Sequence, residues 1–394
     1  MPKNLLTFHI SRLTYRKKGN SFVKIERIEL HHISQPLVAP FRTSFGTQVE
    51  RPCILIAVYS EGLVGWGECV ASDNPGYSYE TINTAWHVLS DFLIPPNLKQ
   101  EVTTPQDVTA RYDWVRGHPM AKAGLENAVW DLLARAHGIP LSTMLGGQHD
   151  RVEVGVSIGI QPTLAEQLER VDQFIEQGYR RIKMKIEPGW AMEPLAAVRE
   201  RHPNLKLMAD ANSAFTLDDM ALFQEMDALN LLMIEQPLHY DDIADHAKLQ
   251  AQIKTPICLD ESIHSPLHAR WAIEIKACRI INMKVGRVGG LSNAVAIHNM
   301  CAKAGIPVWC GGMLETGVGR AINLHLATMP NFTLPGDISA TDRYYVEDIA
   351  APDFKLNPED STITIPTGPG SGIKVLPKRM ARVRVRHQVF DAAS

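Results

Sequence analysis

The chain has 394 residues, enough for two or three domains with a large buried core. Its formal net charge of −3 and its 21% of charged residues argue against nucleic acid or a membrane surface as the main partner. No apolar run approaches the length of a transmembrane helix, and six cysteines without CxxC spacing indicate reduced thiols in a cytoplasmic protein.

The N-terminus differs in charge from the rest of the chain. Its first 24 residues contain Lys3, Arg12, Arg16, Lys17, Lys18 and Lys24 and no acidic side chain. Such a segment can be a transit peptide. We favour a disordered extension over residues 1–23, with the folded part beginning at about residue 24.

The N-terminal half predicts a domain of mixed strands and helices. Apolar runs at 53–60 and 63–70 flank Glu61-Gly62, a pattern typical of a β-hairpin. Helical patterns follow at 79–93, 105–116 and 119–137. We therefore predict an α+β capping domain over residues 24–150.

A repeat of about 25 residues dominates the second half. It is marked by Lys185, Asp210, Glu235, Asp260 and Lys284. Each lies in or at the end of a short apolar run, and helical patterns separate the runs. Such strand–helix units build a parallel sheet and, in sufficient number, close into a barrel. With a first strand at 152–160 and a last one near 332–339, we predict eight strands in a barrel over 151–343.

The remaining residues, 344–394, return to short strand-like runs. Arginines alternate with valines in the run at 382–390, which predicts an edge strand with one wet face. A basic binding tail is the alternative. We expect this segment to join the capping domain.

Three acidic residues form a candidate metal site. Asp210, Glu235 and Asp260 end successive predicted strands, and the C-terminal strand ends of a barrel meet at one mouth. No histidine or cysteine stands at these strand ends, so oxygen-only coordination favours Mg²⁺ or Mn²⁺ over zinc. One such acid is more often a helix cap or surface pair, but three together would repel one another without a cation.

Lysines lie on both sides of these acids. Lys183 and Lys185 are two residues apart on one strand and share a face, and Lys284 enters from the sixth strand, across the barrel. Buried lysines are costly unless they are used. We expect Lys183 and Lys185 to lower each other's pKa, which would make a lysine usable as a base near neutral pH. The alternative is that these lysines extend to solvent.

Asn212 and Glu261 flank the ligand strands and are candidate supporting residues. They would orient a metal ligand or pair with Lys183 or Lys284, unless they face outward in structural roles. A divalent metal with a lysine on each face suits removal of a proton α to a carboxylate, because positive charge stabilises the enediolate that forms.

Several segments together resemble one family. They are KMK (183–185), ADAN (209–212), EQP (235–237), LDES (259–262), NMKVGRVGG (282–290) and GGMLETGVGR (311–320). They are similar to the muconate-lactonizing subgroup of the enolase superfamily, in which lysine bases act with a divalent metal. More narrowly, the chain from about residue 24 onward resembles the o-succinylbenzoate synthase and N-acylamino acid racemase family.

The resemblance implies a (β/α)7β-type TIM barrel, capped by the N-terminal half and the C-terminal tail. It implies metal ligands at Asp210, Glu235 and Asp260 and acid–base lysines at Lys185 and Lys284. It also implies a homo-oligomer that takes a small-molecule carboxylate substrate in menaquinone synthesis. The candidate substrate contacts are Ser157, Met313 and Thr316, and the segment at 38–46 is a candidate lid.

Four alternatives remain beside the synthase. A dedicated racemase of N-acylated amino acids would use the same lysines, one for each enantiomer. Muconate cycloisomerase shares the lysine and carboxylate frame, whereas dipeptide epimerases carry Asp-x-Asp where this chain has Asp337-Ile338-Ser339. The fourth is a catalytically silent barrel, which has no reason to keep buried like charges.

Overall fold

The computed structural model describes residues 22–43 and 46–391. These residues form the strands β1 (Val23–Lys24), β2 (Arg27–Thr43), β3 (Gly46–Ser60), β4 (Leu63–Cys69), β5 (Glu101–Val102), β6 (Arg151–Glu153), β7 (Val156–Ile158), β8 (Arg181–Lys185), β9 (Lys206–Asp210), β10 (Ile234–Glu235), β11 (Ile257–Leu259), β12 (Ile280–Met283), β13 (Val308–Cys310), β14 (Ala350–Ala351), β15 (Thr362–Thr364), β16 (Lys374–Val375) and β17 (Arg384–Asp391). The α-helices are α1 (Ile82–Val88), α2 (Pro105–Arg111), α3 (Pro119–Ala136), α4 (Leu141–Leu145), α5 (Leu164–Glu176), α6 (Met192–Arg201), α7 (Met220–Met226), α8 (Ala244–Gln250), α9 (Pro266–Glu274), α10 (Val285–Val288), α11 (Leu291–Ala304), α12 (Gly317–Leu326) and α13 (Pro377–Val383).

An antiparallel sheet in the order β17–β2–β3–β4 forms the cap. The predicted hairpin is confirmed: Glu61 and Gly62 both have positive φ, as a tight two-residue turn requires. The α3 helix packs closely on β4, because Gly67 has no side chain to collide with the backbone of Gly124. The final strand β17 lies at the sheet edge beside β2, where the alternating arginine and valine pattern predicted it.

A seven-stranded parallel sheet, in the order β7 to β13, forms the barrel. Connecting helices follow most of its strands, so the α/β fold with a separate cap is confirmed. Leu207 and Ala209 belong to the large apolar core that also contains helix residues, whereas Met208, between them, belongs to a second cluster with Trp309. This alternation places Met208 on the inner face of the sheet.

The ends of the predicted barrel differ from regular strands. The expected first strand, 152–160, divides into β6, which pairs antiparallel with β15, and β7, which starts the parallel sheet. The expected eighth strand, 332–339, makes only isolated parallel bridges, from Phe332 to Val308 and from Gly336 to Val154. The Phe332 bridge joins the last strand to β13, and the Gly336 bridge joins it to the first strand region. Pro335 interrupts the hydrogen-bonding pattern because proline has no N–H.

The division into a cap (24–150), a barrel (151–343) and a returning tail (344–394) stays a prediction. The tail supplies β17 to the cap but β15 to the barrel end, so it returns to both. Residues 1–21 of the predicted extension lie outside the described residues.

The six cysteines are buried and form no disulfide. Within residues 22–43 and 46–391, no helix has the length and apolar character needed to cross a bilayer.

Candidate active site

Strand register brings three of the candidate residues into one row. Lys185 on β8 pairs with Asp210 on β9, and Asp210 pairs with Glu235 on β10. Asp260 directly follows β11, and Lys284 directly follows β12. These positions are the C-terminal strand ends, where the repeat in the sequence placed them. All three carboxylates are fully buried.

Lys183 lies among the acids. Its Nζ is 2.9 Å from Asp210 Oδ2, 2.8 Å from Glu235 Oε2 and 2.9 Å from Asp337 Oδ2. Below it, the ring of Trp309 provides a cation–π contact at 5.0 Å from Nζ to the ring centroid. Lys183 therefore binds the carboxylates together in this structure and does not extend to solvent.

Lys185 occupies one side of the acid cluster. Its Nζ donates to Asp210 Oδ2 at 2.5 Å and to Asn212 Oδ1 at 2.6 Å. Asn212 Nδ2 in turn donates to Glu261 Oε1 at 2.8 Å. Asn212 and Glu261 therefore face the site, as one of the two interpretations expected, but the lysine that Asn212 contacts is Lys185.

Lys284 occupies the other side. Its Nζ lies 2.8 Å from Asp260 Oδ2 and donates to the hydroxyl of Tyr77 at 3.1 Å. Tyr77 comes from the cap, so the cap completes this side of the site. The guanidinium of Arg287 also contacts Asp260 and hydrogen-bonds the carbonyl oxygen of Ile263.

The pKa values of the paired lysines diverge. Burial lowers the pKa of Lys185 below its usual value. Burial has the same effect on Lys183, but the surrounding carboxylates, Asp210 foremost, outweigh it and raise the pKa of Lys183 well above its usual value. The expectation of a lowered pKa is therefore wrong for Lys183, because three carboxylates contact it and outweigh the neighbouring ammonium group.

The acids also differ from one another. Burial alone would raise the pKa of Asp210, but the ammonium groups of Lys183 and Lys185 hold it below its usual value. Burial and the negative charge of Asp210 raise the pKa of Glu235. Two buried carboxylates side by side thus respond oppositely, which shows how strongly the cluster depends on nearby positive charge.

The acid cluster fits a hard divalent cation. Asp210, Glu235 and Asp260 offer only oxygen and lie fully buried at the ends of three successive strands. Asp260 Oδ2 has no hydrogen-bond partner of acceptable geometry among the described residues, although Lys284 Nζ is near it. A buried anionic oxygen without a hydrogen bond is costly, and a cation would satisfy it.

A cleft with about 860 Å³ of empty space, part of it open to solvent, lies above the cluster and is lined by all three lysines. Ser157 and Met313 line it, and so do Phe41 and Gln48 from the hairpin that contains the candidate lid.

Thr316 does not line the cleft, and its prediction as a substrate contact needs correction. It is fully buried, its hydroxyl donates to Glu68 Oε2 at 2.7 Å, and it caps the N-terminus of α12. Its hydroxyl is thus committed to joining the cap to the barrel.

Arg287 and three further members of the site were not predicted from the sequence. Asn282, whose Nδ2 donates to Glu235 Oε1 at 2.7 Å, lies two residues before Lys284, and its position on that strand would have indicated it. Asp337 binds both Lys183 and Arg181, although its sequence context indicated only a departure from dipeptide epimerases. Tyr77 lies in a cap loop, where periodicity carries no signal.

Two protein-family models, one for each domain, match the chain. The N-terminal domain of mandelate racemase / muconate lactonizing enzyme matches residues 27–146, and the enolase C-terminal domain-like family matches residues 164–379.

Known relatives cover nearly all of the chain. An o-succinylbenzoate synthase from Geobacillus stearothermophilus is 49% identical over 93% of this chain and 98% of the relative. An N-succinylamino acid racemase from an Amycolatopsis species is 48% identical over 92% of this chain and 98% of the relative. The crystal structure of an enolase superfamily member from Listeria innocua has a TM-score of 0.91 and 40% identity, covering 94% of this chain and all of the other.

Proposed function

The chain belongs to the mandelate racemase / muconate lactonizing enzyme group of the enolase superfamily, and we propose that it is an o-succinylbenzoate synthase. The observation that carries the proposal is the placement of Lys185 and Lys284 on opposite sides of one buried acid cluster, beneath one cleft. The choice of substrate rests on the relatives that are named o-succinylbenzoate synthases, one of which is 49% identical to this chain. Menaquinone synthesis is the role that this substrate implies.

Members of this superfamily use a divalent metal, and we propose Mg²⁺, with Mn²⁺ as a substitute. Asp210, Glu235 and Asp260 would hold it, and when bound it supplies positive charge that stabilises the negative charge developing on the substrate carboxylate. Lys183 and Asn282, which contact Glu235, would hold that ligand in place.

Lys185 is proposed to act as the base of the synthase reaction. Its amine takes the proton α to the carboxylate of succinyl-hydroxycyclohexadiene carboxylate, and the electron pair of the broken C–H bond moves onto the carboxylate to form the enediolate. When that electron pair returns to form a ring double bond, the C–O bond to the ring hydroxyl breaks, and Lys185 returns its proton so that hydroxide leaves as water. The product is the aromatic o-succinylbenzoate. Lys284 remains an ammonium on the other side and stabilises the enediolate by its charge.

Racemization of N-succinylamino acids is the second candidate, favoured by the same pair of lysines. Each lysine would then remove the α-proton from one enantiomer while the opposite lysine delivers a proton to the other face. The relatives named as racemases match the chain almost as well as those named as synthases.

Paired kinetics would test the proposal. With Mg²⁺ present, one assay follows formation of o-succinylbenzoate, and the other follows racemization of N-succinyl and N-acetyl amino acids. Efficient dehydration supports the synthase. Fast racemization with poor dehydration would transfer the principal role to amino acids, and neither activity with metal bound would contradict both assignments.

Two further expectations stay predictions. The resemblance implies a homo-oligomer and a cytoplasmic location. Light scattering of the purified chain would give its mass in solution, and a monomeric mass would contradict the first.

A further inference from the structure

Three side chains capable of binding a metal meet at the edge of the cap, away from the barrel cluster. His31 on β2 and His387 on β17 are register partners, and Glu29 lies two residues before His31 on the same face. Their donor atoms all lie within 4.8 Å of one another. Glu29 Oε2 is 2.9 Å from His387 Nε2 and 3.4 Å from His31 Nε2.

His31 is the unusual member of this group. Its side chain is 3% exposed, yet neither ring nitrogen has a hydrogen-bond partner of acceptable geometry among the described residues. Buried polar groups without partners are rare in folded proteins and usually indicate a missing ligand or water. A neutral imidazole is the form of histidine that binds metal ions.

We propose that Glu29, His31 and His387 bind a transition-metal ion such as Zn²⁺. Two imidazoles and one carboxylate are a known zinc ligand set, and nitrogen ligands exclude Mg²⁺ as the preferred ion. Donors about 2.0–2.2 Å from a tetrahedral ion lie roughly 3.3 Å apart, close to the separations around Glu29 Oε2. A water would complete the shell.

Binding requires one side-chain movement. The two imidazoles are stacked, with centroids 4.5 Å apart and planes inclined by 10°, so their in-plane lone pairs do not yet point at a common centre. His387 is about one-third exposed at the sheet edge and has room to rotate. His31 is fixed by its burial and would be the anchor.

The bound ion would join two distant parts of the chain. Residues 29 and 387 are 358 positions apart, and β17 is the edge strand of the cap sheet. An ion that binds only the folded protein stabilises it by mass action. The site is therefore a structural clamp on the C-terminal strand, and it does not depend on the proposed catalytic activity.

The test uses the full chain, stripped of metal and then saturated with Mg²⁺ to occupy the barrel. Zn²⁺ is titrated by calorimetry into the wild type, His387→Gln and the control His32→Gln, whose residue neighbours His31 but points to the opposite face of the sheet. We expect the wild type and the control to bind one Zn²⁺ per chain with the same affinity. We expect the affinity of His387→Gln for Zn²⁺ to be at least about 10-fold lower. Equal binding by the wild type and His387→Gln would overturn the proposal.

A second measurement identifies the ligands and does not rely on one variant. Co²⁺ bound at this site should give the visible absorption of a nitrogen-ligated tetrahedral ion, and Glu29→Gln and His387→Gln should each reduce it. Zn²⁺ should also raise the melting temperature of the wild type and the His32→Gln control but not of His387→Gln. A Co²⁺ spectrum unchanged by both substitutions would reject the site.

Discussion

The hydroxyl of Tyr77, in the cap, donates to Oδ1 of Asp260, at the end of a barrel strand, over 3.1 Å. The same hydroxyl accepts from Lys284 Nζ at 3.1 Å. One phenol thus contacts both a proposed metal ligand and a proposed catalytic lysine. Because Tyr77 belongs to the cap, the position of the cap directly affects the chemistry at the barrel mouth.

Tyr77→Phe should lower kcat for the preferred substrate roughly 10- to 100-fold, because it removes this hydroxyl while it keeps the ring. The weakened hold on Asp260 should also raise the Mg²⁺ concentration needed for half-maximal activity. Steady-state kinetics over a Mg²⁺ series would measure both. Tyr79→Phe, at an exposed neighbouring tyrosine, is the matched control. If Tyr77→Phe retained wild-type kcat and Mg²⁺ dependence, the hydroxyl would have no role in positioning.

The two lysines should be separable by isotope exchange. Lys185→Ala should reduce dehydration, and both Lys185→Ala and Lys284→Ala should reduce racemization, by about 10²–10⁴-fold, the usual contribution of general acid–base catalysis. Lys284→Ala should also reduce dehydration, because it removes the positive charge that stabilises the enediolate. In deuterated water, however, each variant should still exchange the α-proton of the one enantiomer that faces its remaining lysine. Mass spectrometry or NMR of each pure N-succinylamino acid enantiomer would detect this.

An exposed lysine gives the reference for that experiment. Lys248→Ala, at a surface salt bridge, should leave both exchange rates unchanged. Exchange of both enantiomers by Lys185→Ala would contradict the assignment of one lysine to each face.

The sequence was sufficient to predict the barrel and the positions of its acids, because both follow from a repeat. Because the strand–helix units have nearly constant length, Lys185, Asp210 and Glu235 occupy equivalent positions at the ends of their strands. In the structure these residues are register partners on neighbouring strands. Contacts set by loops could not be predicted in this way. Tyr77 contacts the site from a cap loop, and the side chain of Thr316 hydrogen-bonds Glu68. Both contacts depend on how the cap packs on the barrel.

The proposed metal ligands should be required for activity but not for folding. Glu235→Gln removes one negative charge from a cluster that also contacts Lys183, so we expect Mg²⁺ affinity and kcat each to fall by at least roughly 10-fold. Removal of metal by a chelator should abolish turnover in the wild type, and added Mg²⁺ should restore it. Calorimetric Mg²⁺ titration and kinetics would measure these effects.

Circular dichroism would show whether Glu235→Gln still folds. Glu225→Gln, at an exposed position on α7, is the matched control and should bind Mg²⁺ normally. A Glu235→Gln protein that bound Mg²⁺ with wild-type affinity would remove Glu235 from the ligand set.

Glu126, on α3, predicts a pH-dependent loss of stability outside the catalytic cluster. It is fully buried, and burial raises its pKa from 4.5 to about 7, although Ser292 donates to it. Between these values the folded protein holds a proton that the unfolded chain has released. The contribution of Glu126 to the free energy of unfolding is therefore fully present below about pH 4.5. It is lost as the pH rises through 7, and the total loss is up to about 3 kcal/mol.

Glu126→Gln keeps a neutral side chain of the same shape, so its stability should not follow this decline. In urea unfolding, we expect the free energy of unfolding of the variant to increase relative to that of the wild type as the pH rises from 5 to 8. This relative increase should be complete above pH 7. Measuring the difference between the two proteins cancels the opposite contribution of His246, whose pKa burial lowers to about 4. Glu200→Gln, at an exposed position, should show no such trend. A constant difference between Glu126→Gln and the wild type over this range would mean that Glu126 is already ionised in the folded protein at pH 5.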